Sequence, residues 1–380
     1  MSLLTVLVGI PASGKSQLAQ QLIEGGEQIL IDADEENGER SGARSNVKAG
    51  GESAISSTLE RLEQALKSGR SIVLQAKHRS PKYRRPYLEL AKKHGYRTEA
   101  IYLNVPLEQA IGAEQTRRER GESARPDQEL RRCERLLQIP TLAESFDRVE
   151  VRTPERVNGA AAAFFREQED RLLGQPVQLI RELEADGRLE GWLPELHRAI
   201  PIDQHNPHHR FTIYEHILKA TETVAGTSLK MVWTMLLHDI GKAYPGIKQF
   251  TGKVQTPFGR YKARDEVIIE NGADIREGRD PGDFYLVDGE QILSSHIRTD
   301  LDGHFYDHEN LGAQLSFRIL TRFGYPHDFA LEVATLIQFH MLMPRDIEHV
   351  ELSQIRKFYR RTGRYAAELM MVRLADSRGK

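Results

Sequence analysis

The sequence predicts two classes of structure in one chain: an α/β region with a mostly parallel sheet at residues 1–153 and an all-α region at residues 201–380. In the first region short apolar runs alternate with helix-like runs, which is the pattern of βαβ units. After residue 154 the strand-like runs end and helical periodicity continues. Twelve of the fourteen histidines lie between His197 and His349, and such a concentration of imidazoles indicates metal chemistry.

Composition narrows the class of protein. The 380 residues can form two cores, and 39% apolar with 28% charged residues is typical of a soluble globular protein. No apolar run approaches the roughly 20 residues that cross a bilayer. The chain starts without a basic leader, its single cysteine is Cys133, and its net charge is −2. We therefore expect a cytoplasmic protein with no membrane partner, in which nucleic-acid contact would depend on local basic patches.

Five apolar runs predict the strands of the parallel sheet: Leu3–Val8, Ile29–Ile31, Ile72–Leu74, Glu99–Leu103 and Val149–Val151. Helices are expected between them, at Lys15–Ile23, Ala54–Leu66, Pro81–His94 and in the charged stretch 106–137. A helical connector over residues 154–200 follows this region.

The all-α region is predicted from apolar residues at helical spacing. Its expected helices are Tyr214–Val224, Leu229–His238, Gly312–Phe323, Phe329–His340 and Ser353–Arg378. Residues 244–303 are rich in glycine and charge and show weak periodicity. Because this stretch is too long for a simple loop, we interpret it as an insertion or lid.

Residues 9–16 read GIPASGKS and match the phosphate-loop pattern G-x-x-x-x-G-K-[ST] between a strand and a helix. Backbone N–H groups of such a loop converge on phosphate oxygens. Lys15 would neutralise the β/γ-phosphate charge, and Ser16 would hold Mg²⁺. The residues predicted to contact ATP are Gly9, Ser13, Gly14, Lys15 and Ser16.

The order of the motifs around this loop resembles the polynucleotide-kinase-like branch of P-loop kinases, over about the first 150 residues. The motifs are Leu7-Val8-Gly9 with Gly14-Lys15-Ser16, Asp32-Ala33-Asp34, Ile72-Val73-Leu74, Pro81-Lys82-Tyr83-Arg84-Arg85, and Val105-Pro106 before an arginine-rich helix. The family carries an aspartate after its second strand as general base on the acceptor hydroxyl. The resemblance implies this role for Asp34, with Asp32 as the competing assignment.

The resemblance also implies arginines that contact the phosphoryl group and the acceptor. The family's lid carries an Arg-Gly pair, matched by Arg120-Gly121, and Arg117 lies one helical turn before it. The acceptor side is represented by Arg84, Arg85 and Arg40, the last standing near the position where the family has an arginine and this chain has Asn37. The third strand departs from the family, because Gln75-Ala76-Lys77-His78 replaces an Asp-x-Thr-Asn-type sequence.

A second constellation lies in the all-α region. His238 and Asp239 end an apolar helix before Gly241, which we interpret as a helix C-cap, and Lys242 follows. Adjacent His and Asp side chains share a metal if other helices complete the coordination. The candidates to complete it are His216, His308, His340 and Asp376.

These residues resemble the H…HD…D pattern of the HD superfamily, most closely the HD region beside nucleotidyltransferases of the CCA-adding type, over residues 200–380. The resemblance implies one metal bound by His216, His238, Asp239 and Asp376, with Asp239 bridging to a second held by His308 and His340. The implied metals are one or two divalent ions among Mn, Fe, Ni, Co and Zn. Lys242 would approach the substrate phosphate.

A kinase and a phosphohydrolase on one chain suit two different ends of one substrate. Broken RNA carries a 5′-OH end and a 2′,3′-cyclic phosphate end, and the chain resembles bifunctional end-healing enzymes with the kinase placed first. This predicts nucleic-acid ends, RNA in preference to DNA, and a separate ligase as partners. A basic path is expected from Arg356, Lys357, Arg360, Arg361 and Arg364 with the aromatic residues Phe358, Tyr359 and Tyr365.

Two alternatives stay open from the sequence. One is a small-molecule kinase fused to an HD nucleotidase. The other is an ATP-gated regulatory module that senses a nucleotide without turnover. The sequence does not specify an oligomeric state.

Overall fold

A computed structural model describes residues 2–26, 28–33, 50–76, 78–204, 206, 210–256, 259–263, 284–287, 290–293, 298–343 and 350–379. The predicted residues Asp34 and Arg40 lie outside this part of the chain. The fold divides into two compact units. The first contains Met1–Phe165 and Ala313–Met370, and the second contains Arg166–Gly312 and Met371–Lys380. Both units are therefore discontinuous along the sequence, whereas the sequence-based division at residues 153 and 200 is linear.

The first unit is built on a five-stranded parallel sheet with the strand order β2-β3-β1-β4-β5. The strands are β1 (Leu3–Val8), β2 (Ile29–Asp32), β3 (Ile72–Gln75), β4 (Arg97–Leu103) and β5 (Arg148–Arg152). This confirms the predicted α/β class. The strands β1 and β3 are mostly apolar, and so is β4 from Ala100 to Leu103, because helices cover both faces of a parallel sheet.

The helices described between these strands are α1 (Lys15–Ile23), α2 (Gly50–Leu66), α3 (Pro81–Lys93), α4 (Leu107–Glu119) and α5 (Asp127–Leu136). Leu18 and Ala19 of α1 pack with Leu7, Val73 and Ile101 of the sheet in one buried cluster. This packing holds the first turn of α1 at the carboxyl edge of the sheet, where ligands of open α/β sheets bind.

Helices continue through the second unit after the short α6 (Gly159–Glu167), which begins in the first. They are α7 (Glu169–Gly174), α8 (Pro176–Ala185), α9 (Arg188–Trp192), α10 (Pro194–His197), α11 (Ile213–Glu222) and α12 (Leu229–Leu237), followed by a 3₁₀ turn at Ile240–Ala243. Every residue from Met231 to Leu237 is buried. The helix α12 is therefore a core helix, and its end places the next two residues in the interior.

Among the described residues of 249–304, the region predicted to be all-α contains strands, so that prediction was wrong there. They are β6 (Gln249–Thr256), β7 (Gly259–Ala263), β8 (Phe284–Val287), β9 (Glu290–Leu293) and β10 (Arg298–His304). The antiparallel pairings give a three-stranded sheet in the order β10-β6-β7 and a β8-β9 hairpin. Tertiary pairing stabilises these short runs, in which charged and glycine residues hide the period of two.

In the described part of the chain after β10, the α-helices are α13 (His308–Arg322), α14 (His327–Phe339), α15 (Leu352–Thr362) and α16 (Ala366–Arg378). Within the first unit, buried glutamines join α13 and α14 to the last turn of α5 and to the segment after it. Gln314 Nε2 donates to the carbonyl oxygens of Glu134 (2.9 Å) and Leu137 (3.1 Å). Gln338 exchanges two hydrogen bonds with the backbone of Ile139, at 2.6 and 3.1 Å. These bonds explain why residues 313–370 belong to the unit that carries the parallel sheet.

In the described part of the chain no helix has the length and apolar character needed to cross a membrane.

Candidate functional sites

The phosphate loop joins β1 to α1 in the first unit. Gly9 has φ +157, and a Cβ placed there would lie 2.6 Å from Ser13 Oγ and 3.1 Å from Leu103 O. Gly14 is the N-cap of α1 with φ +92 and forms no side-chain cap. A glycine is therefore required at both positions, once by close packing and once by left-handed backbone. The first turn of α1 presents its N–H groups and the positive end of its dipole at the loop.

Lys15 is the first residue of α1 and is only half-exposed. Its Nζ donates to the carbonyl oxygens of Gly9 (3.0 Å) and Ile10 (2.8 Å). These contacts hold the ammonium over the loop that a nucleotide phosphate would enter. Lys15, Ser16 and the loop glycines thus lie together as the motif predicts.

A polar contact joins the ends of three elements beside this loop. Gln75 Nε2, at the end of β3, donates to Ser16 Oγ (2.9 Å) and to Asp32 Oδ2 (3.1 Å). Gln75 and Asp32 are 3% and 8% exposed. Gln75 therefore connects Asp32 to the Ser16 hydroxyl that is predicted to bind Mg²⁺. In the sequence, Gln75 was recognisable only as a difference from the family pattern.

The Arg120-Gly121 pair ends α4. Gly121 has φ +72, Glu122 N donates to Arg117 O (3.0 Å), and Gly121 N donates to Arg118 O (3.0 Å). This is a Schellman ending, in which glycine takes the left-handed position after the helix. The Arg120 side chain is exposed and forms no ion pair with the residues that the structure describes. The glycine of the pair thus has a structural role, and the adjacent arginine is left projecting into solvent.

Arg117 lies one turn before the end of α4. Its guanidinium is 3.4 Å from Glu114 and 3.4 Å from Glu122. At 42% exposure and these distances, the ion pairs are weak. The guanidinium can therefore exchange them for a phosphate group.

The prediction that Arg84 contacts substrate was wrong. Arg84 is fully buried, and its guanidinium forms a two-point ion pair with Glu144 at 2.7 Å for each contact. It also donates to the carbonyl oxygens of His78, Gln138 and Ile139. The buried charge is compensated inside the protein, so Arg84 links α3 to the segment after α5. The neighbouring Arg85 is exposed and pairs with Glu89 at 2.7 Å.

The second site lies in the second unit at the end of α12. Nitrogen and oxygen atoms of His216, His238, Asp239 and Asp376 converge within 4.8 Å of one another. His216 Nε2 is 3.2 Å from His238 Nε2 and 3.1 Å from Asp239 Oδ2. It is also 3.2 Å from Asp376 Oδ1. Four ligands at about 2.1 Å around one tetrahedral ion would be about 3.4 Å apart. The four predicted ligands therefore lie together at the spacing of a metal centre.

The imidazole orientations favour a cation. His216 Nδ1 is 3.0 Å from Gly379 O, and His238 Nδ1 is 2.7 Å from Met235 O. A carbonyl oxygen only accepts, so Nδ1 carries the hydrogen in each ring and Nε2 presents its lone pair to the centre. Two lone pairs 3.2 Å apart, facing two carboxylates, repel one another unless a cation lies between them. The donor set of two neutral imidazoles and two carboxylates suits a divalent transition metal.

The pKa shifts of the two histidines agree with this need for a cation. Burial by itself lowers the pKa of His216, but its hydrogen bonds with Asp239 and Asp376 raise it to about 9. A proton therefore occupies Nε2 when no metal does. Burial lowers the pKa of His238, so this ring stays neutral.

Asp239 is ionised and central. Burial by itself raises its pKa, but the Lys242 ammonium and the hydrogen bond with His216 hold it well below its usual range. Oδ2 faces His216 and is 2.7 Å from Lys242 Nζ. Oδ1 faces His308 Nε2 at 3.2 Å. One oxygen thus faces His216 and the other faces His308, which is the arrangement of a bridging carboxylate.

Lys242 lies almost completely buried beside Asp239. Its Nζ also donates to Gln204 Oε1 at 3.0 Å. Gln204 carries no spacing that distinguishes it in the sequence, so only the fold identifies it as the residue that orients Lys242.

Asp376 and His216 have further positioning partners that sequence reasoning missed. Arg373 Nη1 donates to Asp376 Oδ2 at 3.0 Å, which leaves Oδ1 for the centre. A Cβ on Gly379 would lie 3.0 Å from both His216 Nδ1 and His216 O. The i, i+3 spacing of Arg373 and Asp376 on a helix was a usable signal, whereas nothing local marks Gly379.

Gly241 was interpreted as a helix C-cap, and that interpretation was wrong. Its φ is not among the positive values, and it lies inside the 3₁₀ turn Ile240–Ala243. A Cβ at this position would be 2.0 Å from His308 O and 2.8 Å from Gly312 N. Gly241 is therefore needed for the close approach of α13, which carries His308.

His308 and His340 were predicted to hold a second metal. His308 Nδ1 lies 2.7 Å from Phe305 O, and His340 Nδ1 lies 2.6 Å from Ile337 O. Each ring therefore presents Nε2 as a ligand, in the same way as His216 and His238. His308 faces Asp239 within the second unit, and His340 ends α14 in the first unit. A second metal held by these two residues stays a prediction.

A match to a known protein family covers the first part of the chain. Residues 4–140 match the sequence profile of a family described as an AAA domain. No curated protein matches the chain at a significant level.

Three solved structures show similarity at a TM-score of 0.32 each. They are the Pnkp1/Rnl/Hen1 RNA repair complex (17% identity, covering 35% of this chain and 42% of that chain), a candidate kinase from Chloroflexus aurantiacus J-10-fl (18%, 44% and 95%), and a sugar kinase from Janibacter sp. HTCC2649 (17%, 40% and 86%). The present chain thus spans less than half of the matched chain of the repair complex. The phosphate-loop motif, the parallel sheet and the family match together support a phosphate-loop nucleotide-binding domain over residues 4–140.

Proposed function

We propose that this chain is a bifunctional nucleic-acid end-healing enzyme. One activity is an ATP-dependent 5′-OH polynucleotide kinase, and the other is a metal-dependent 2′,3′-cyclic phosphodiesterase and phosphatase of the HD type. The observation that supports this pairing is the presence of a phosphate loop in one compact unit and of a convergent His-Asp centre in the other. A kinase and a phosphohydrolase acting on one atom would be futile, whereas acting on the two ends of a broken strand they prepare both for a ligase.

The kinase half assigns binding to the loop and charge stabilisation to the arginines. Lys15 and the first turn of α1 bind the phosphates, and Ser16 holds Mg²⁺, which neutralises phosphate charge when it is bound. Arg120 and Arg117 stabilise the charge spread over the transferring phosphoryl group. Asp34 accepts the proton of the acceptor hydroxyl.

The hydrolase half rests on the four convergent ligands and on Lys242. His216, His238, Asp239 and Asp376 hold a divalent ion (Mn, Fe, Ni, Co or Zn), which polarises a phosphoryl oxygen and lowers the pKa of a bound water. Lys242 forms an ion pair with Asp239 at 2.7 Å. Its ammonium can therefore contact a phosphate oxygen that enters this centre. His308 and His340 provide for a second ion.

Nucleic acid is proposed as the substrate because α15 carries an exposed basic face. Its exposed cations and those just after it are Arg356, Lys357, Arg360, Arg361 and Arg364. Tyr359 is 53% exposed and available for stacking on a base. Phe358 and Tyr365, which the sequence analysis grouped with it, are 6% and 2% exposed and belong to the core. The stacking contribution therefore reduces to Tyr359, together with phosphate contacts.

The decisive experiment supplies ATP, Mg²⁺ or Mn²⁺ and an RNA with 5′-OH and 2′,3′-cyclic phosphate ends. We expect phosphate transfer from ATP to the 5′ end and opening of the cyclic phosphate, each traced with a separately labelled end. A matched DNA strand measures the preference for RNA. Transfer to nucleosides or sugars but not to oligonucleotides would replace the proposal with a small-molecule kinase. Nucleotide binding with no turnover at either end would replace it with a regulatory module.

A further inference from the structure

The end of β3 lacks an acidic residue at the position where the resemblance leads one to expect it. Gln75 stands there, and a neutral amide cannot offset the charge of a metal ion. Its Nε2 instead contacts two oxygen atoms, Ser16 Oγ at 2.9 Å and Asp32 Oδ2 at 3.1 Å. The carboxylate that the fold connects to the magnesium-binding hydroxyl is therefore that of Asp32.

The topology explains why these three residues meet. Asp32 and Gln75 are paired residues at the last position of β2 and β3. Gln75 is also paired with Leu7 of β1, the strand that leads into the phosphate loop and the helix bearing Ser16. Because the strands are parallel, all three side chains lie at one edge of the sheet.

The orientation of the Gln75 amide follows from its partners. An ionised carboxylate only accepts hydrogen bonds, so the NH₂ group and not the carbonyl oxygen faces Asp32. Gln75 Oε1 is buried and accepts no hydrogen bond from the residues that the structure describes. A buried amide oxygen without a donor is costly, and a metal-bound water would satisfy it.

We propose that Asp32 supplies the carboxylate of the kinase Mg²⁺ site and that Gln75 positions it beside Ser16. This inference rests on the proposed kinase activity of the first unit. It separates the two competing aspartates, because Asp32 is 8% exposed and held by Gln75. Asp32 is thereby assigned to the metal, and the role of general base falls to Asp34.

The test measures nucleotide binding rather than turnover. The affinity of a fluorescent ATP analogue is determined with and without Mg²⁺, in the absence of any acceptor, for the whole chain and its variants. We expect Asp32→Asn to reduce the ratio of the two affinities about tenfold, as removal of a metal-positioning group does. Binding without Mg²⁺ should stay at the wild-type level, since Lys15 and the loop are unchanged.

A charge-swap variant sharpens the test. In Asp32→Asn/Gln75→Glu the hydrogen bond is kept with donor and acceptor exchanged, and a carboxylate again lies beside Ser16. We expect the affinity ratio to return toward the wild-type value. The control variant is the exposed Glu89→Gln, which should keep the wild-type ratio, and Asp34→Asn is measured beside it as the competing assignment. If Asp32→Asn also loses binding without Mg²⁺, the ratio of the two affinities is measured for Gln75→Leu instead. A lowered ratio in that variant supports the inference, and an unchanged ratio contradicts it.

Either of two results would overturn the inference: an unchanged ratio in Asp32→Asn, or a lowered ratio in Asp34→Asn alone. Since no acceptor is present, the outcome does not depend on whether the substrate is nucleic acid. A failed polynucleotide kinase assay and a failed magnesium assignment are thus distinguishable.

Discussion

His216 Nε2 and His238 Nε2 lie 3.2 Å apart in the interior of the second unit, while the Nδ1 atom of each ring is bound to a main-chain carbonyl. Neither ring can turn its N–H toward the other without losing that bond. The pair is therefore stable only with a positive charge between the rings and the carboxylates, supplied by a metal ion or by a proton. The following predictions test this relationship and the other features of the two units.

Replacing Asp239 with alanine should remove the metal and end phosphate release from a 2′,3′-cyclic end. The residue faces His216 through one oxygen and His308 through the other. Without a metal, the pKa of the water is not lowered toward neutrality, so we expect a loss of at least about a hundredfold. Metal analysis and both activity assays check this.

The matched control for this variant is Glu222→Gln, on the exposed side of α11. It should retain metal and both activities. Kinase activity should survive in Asp239→Ala, because the phosphate loop belongs to the other unit. Full metal content with normal phosphoesterase turnover in Asp239→Ala would show that the His-Asp pair is structural.

Metal binding should strengthen as pH rises from 6 to 9. The pKa of His216 in the metal-free site is raised to about 9, so the metal must displace a proton below that pH. The apparent affinity should rise by up to about tenfold per pH unit in this window. Competition with a chelator at fixed pH values measures it, and an affinity independent of pH would contradict the proton assignment.

The stability of the metal-free protein should change in the opposite direction. The pKa of His216 in the folded protein exceeds its unfolded value of about 6.5. The stabilisation that His216 contributes is therefore fully present below pH 6.5 and is lost as pH rises through about 9. We expect the Tm of the metal-free protein to fall over this range. His216→Asn should lack this part of the pH dependence, while metal-loaded protein should not show it.

Lys15→Ala should abolish phosphoryl transfer and leave phosphoesterase activity largely intact. Lys15 lies over the phosphate loop through its bonds to Gly9 and Ile10, and its charge is needed where phosphate charge develops. The exposed Lys93→Ala is the control. Loss of both activities in folded Lys15→Ala protein would contradict the two-site proposal.

Gly241→Ala should disturb the His-Asp site through packing alone. The added Cβ would lie 2.0 Å from His308 O, which forces the helix bearing His308 to move. We expect destabilisation of about 1–3 kcal/mol, with a lowered metal affinity. Gly191→Ala is the matched control, since it lies in a helix of the same unit with nothing within 4 Å of the new Cβ. Equal stability of the two variants would contradict the packing argument.

Gln338→Ala should destabilise the unit that carries the phosphate loop, although residue 338 lies far from that loop in sequence. The side chain accepts from Ile139 N and donates to Ile139 O in a buried setting. Leaving both backbone groups unpaired should cost about 1–3 kcal/mol. Chemical denaturation with ATP-analogue binding as the probe measures this, with the exposed Gln115→Ala as control. No change would show that α14 is dispensable for the first unit.

Local patterns predicted what local physics controls. Each predicted strand of the parallel sheet is present, and four of the five are longer than predicted, by one or two residues, because strands buried on both faces read as continuous apolar runs. The phosphate loop was recognisable because backbone geometry demands glycine at fixed offsets. The strands at residues 249–304 were missed because pairing partners, and not composition, stabilise them.

The roles of individual charged and glycine residues were predicted less accurately than the motifs. Arg84 looks like a phosphate contact in a basic run, yet its guanidinium is buried against Glu144. Gly241 looks like a helix cap, yet it makes room for His308. In both cases the partner lies about 60 positions away, and no local window contains it.

The sequence alone determined the parallel α/β class and the phosphate loop, because both depend on residue type and spacing, and the resemblance to the HD pattern named the histidines and aspartates that converge. Only the tertiary structure decided which oxygen of Asp239 faces which histidine, that Asp32 meets Ser16 through Gln75, and that residues 313–370 pack with the parallel sheet. These relationships join side chains from separate elements. They depend on distance and orientation in space, which a chain specifies only after its cores have packed.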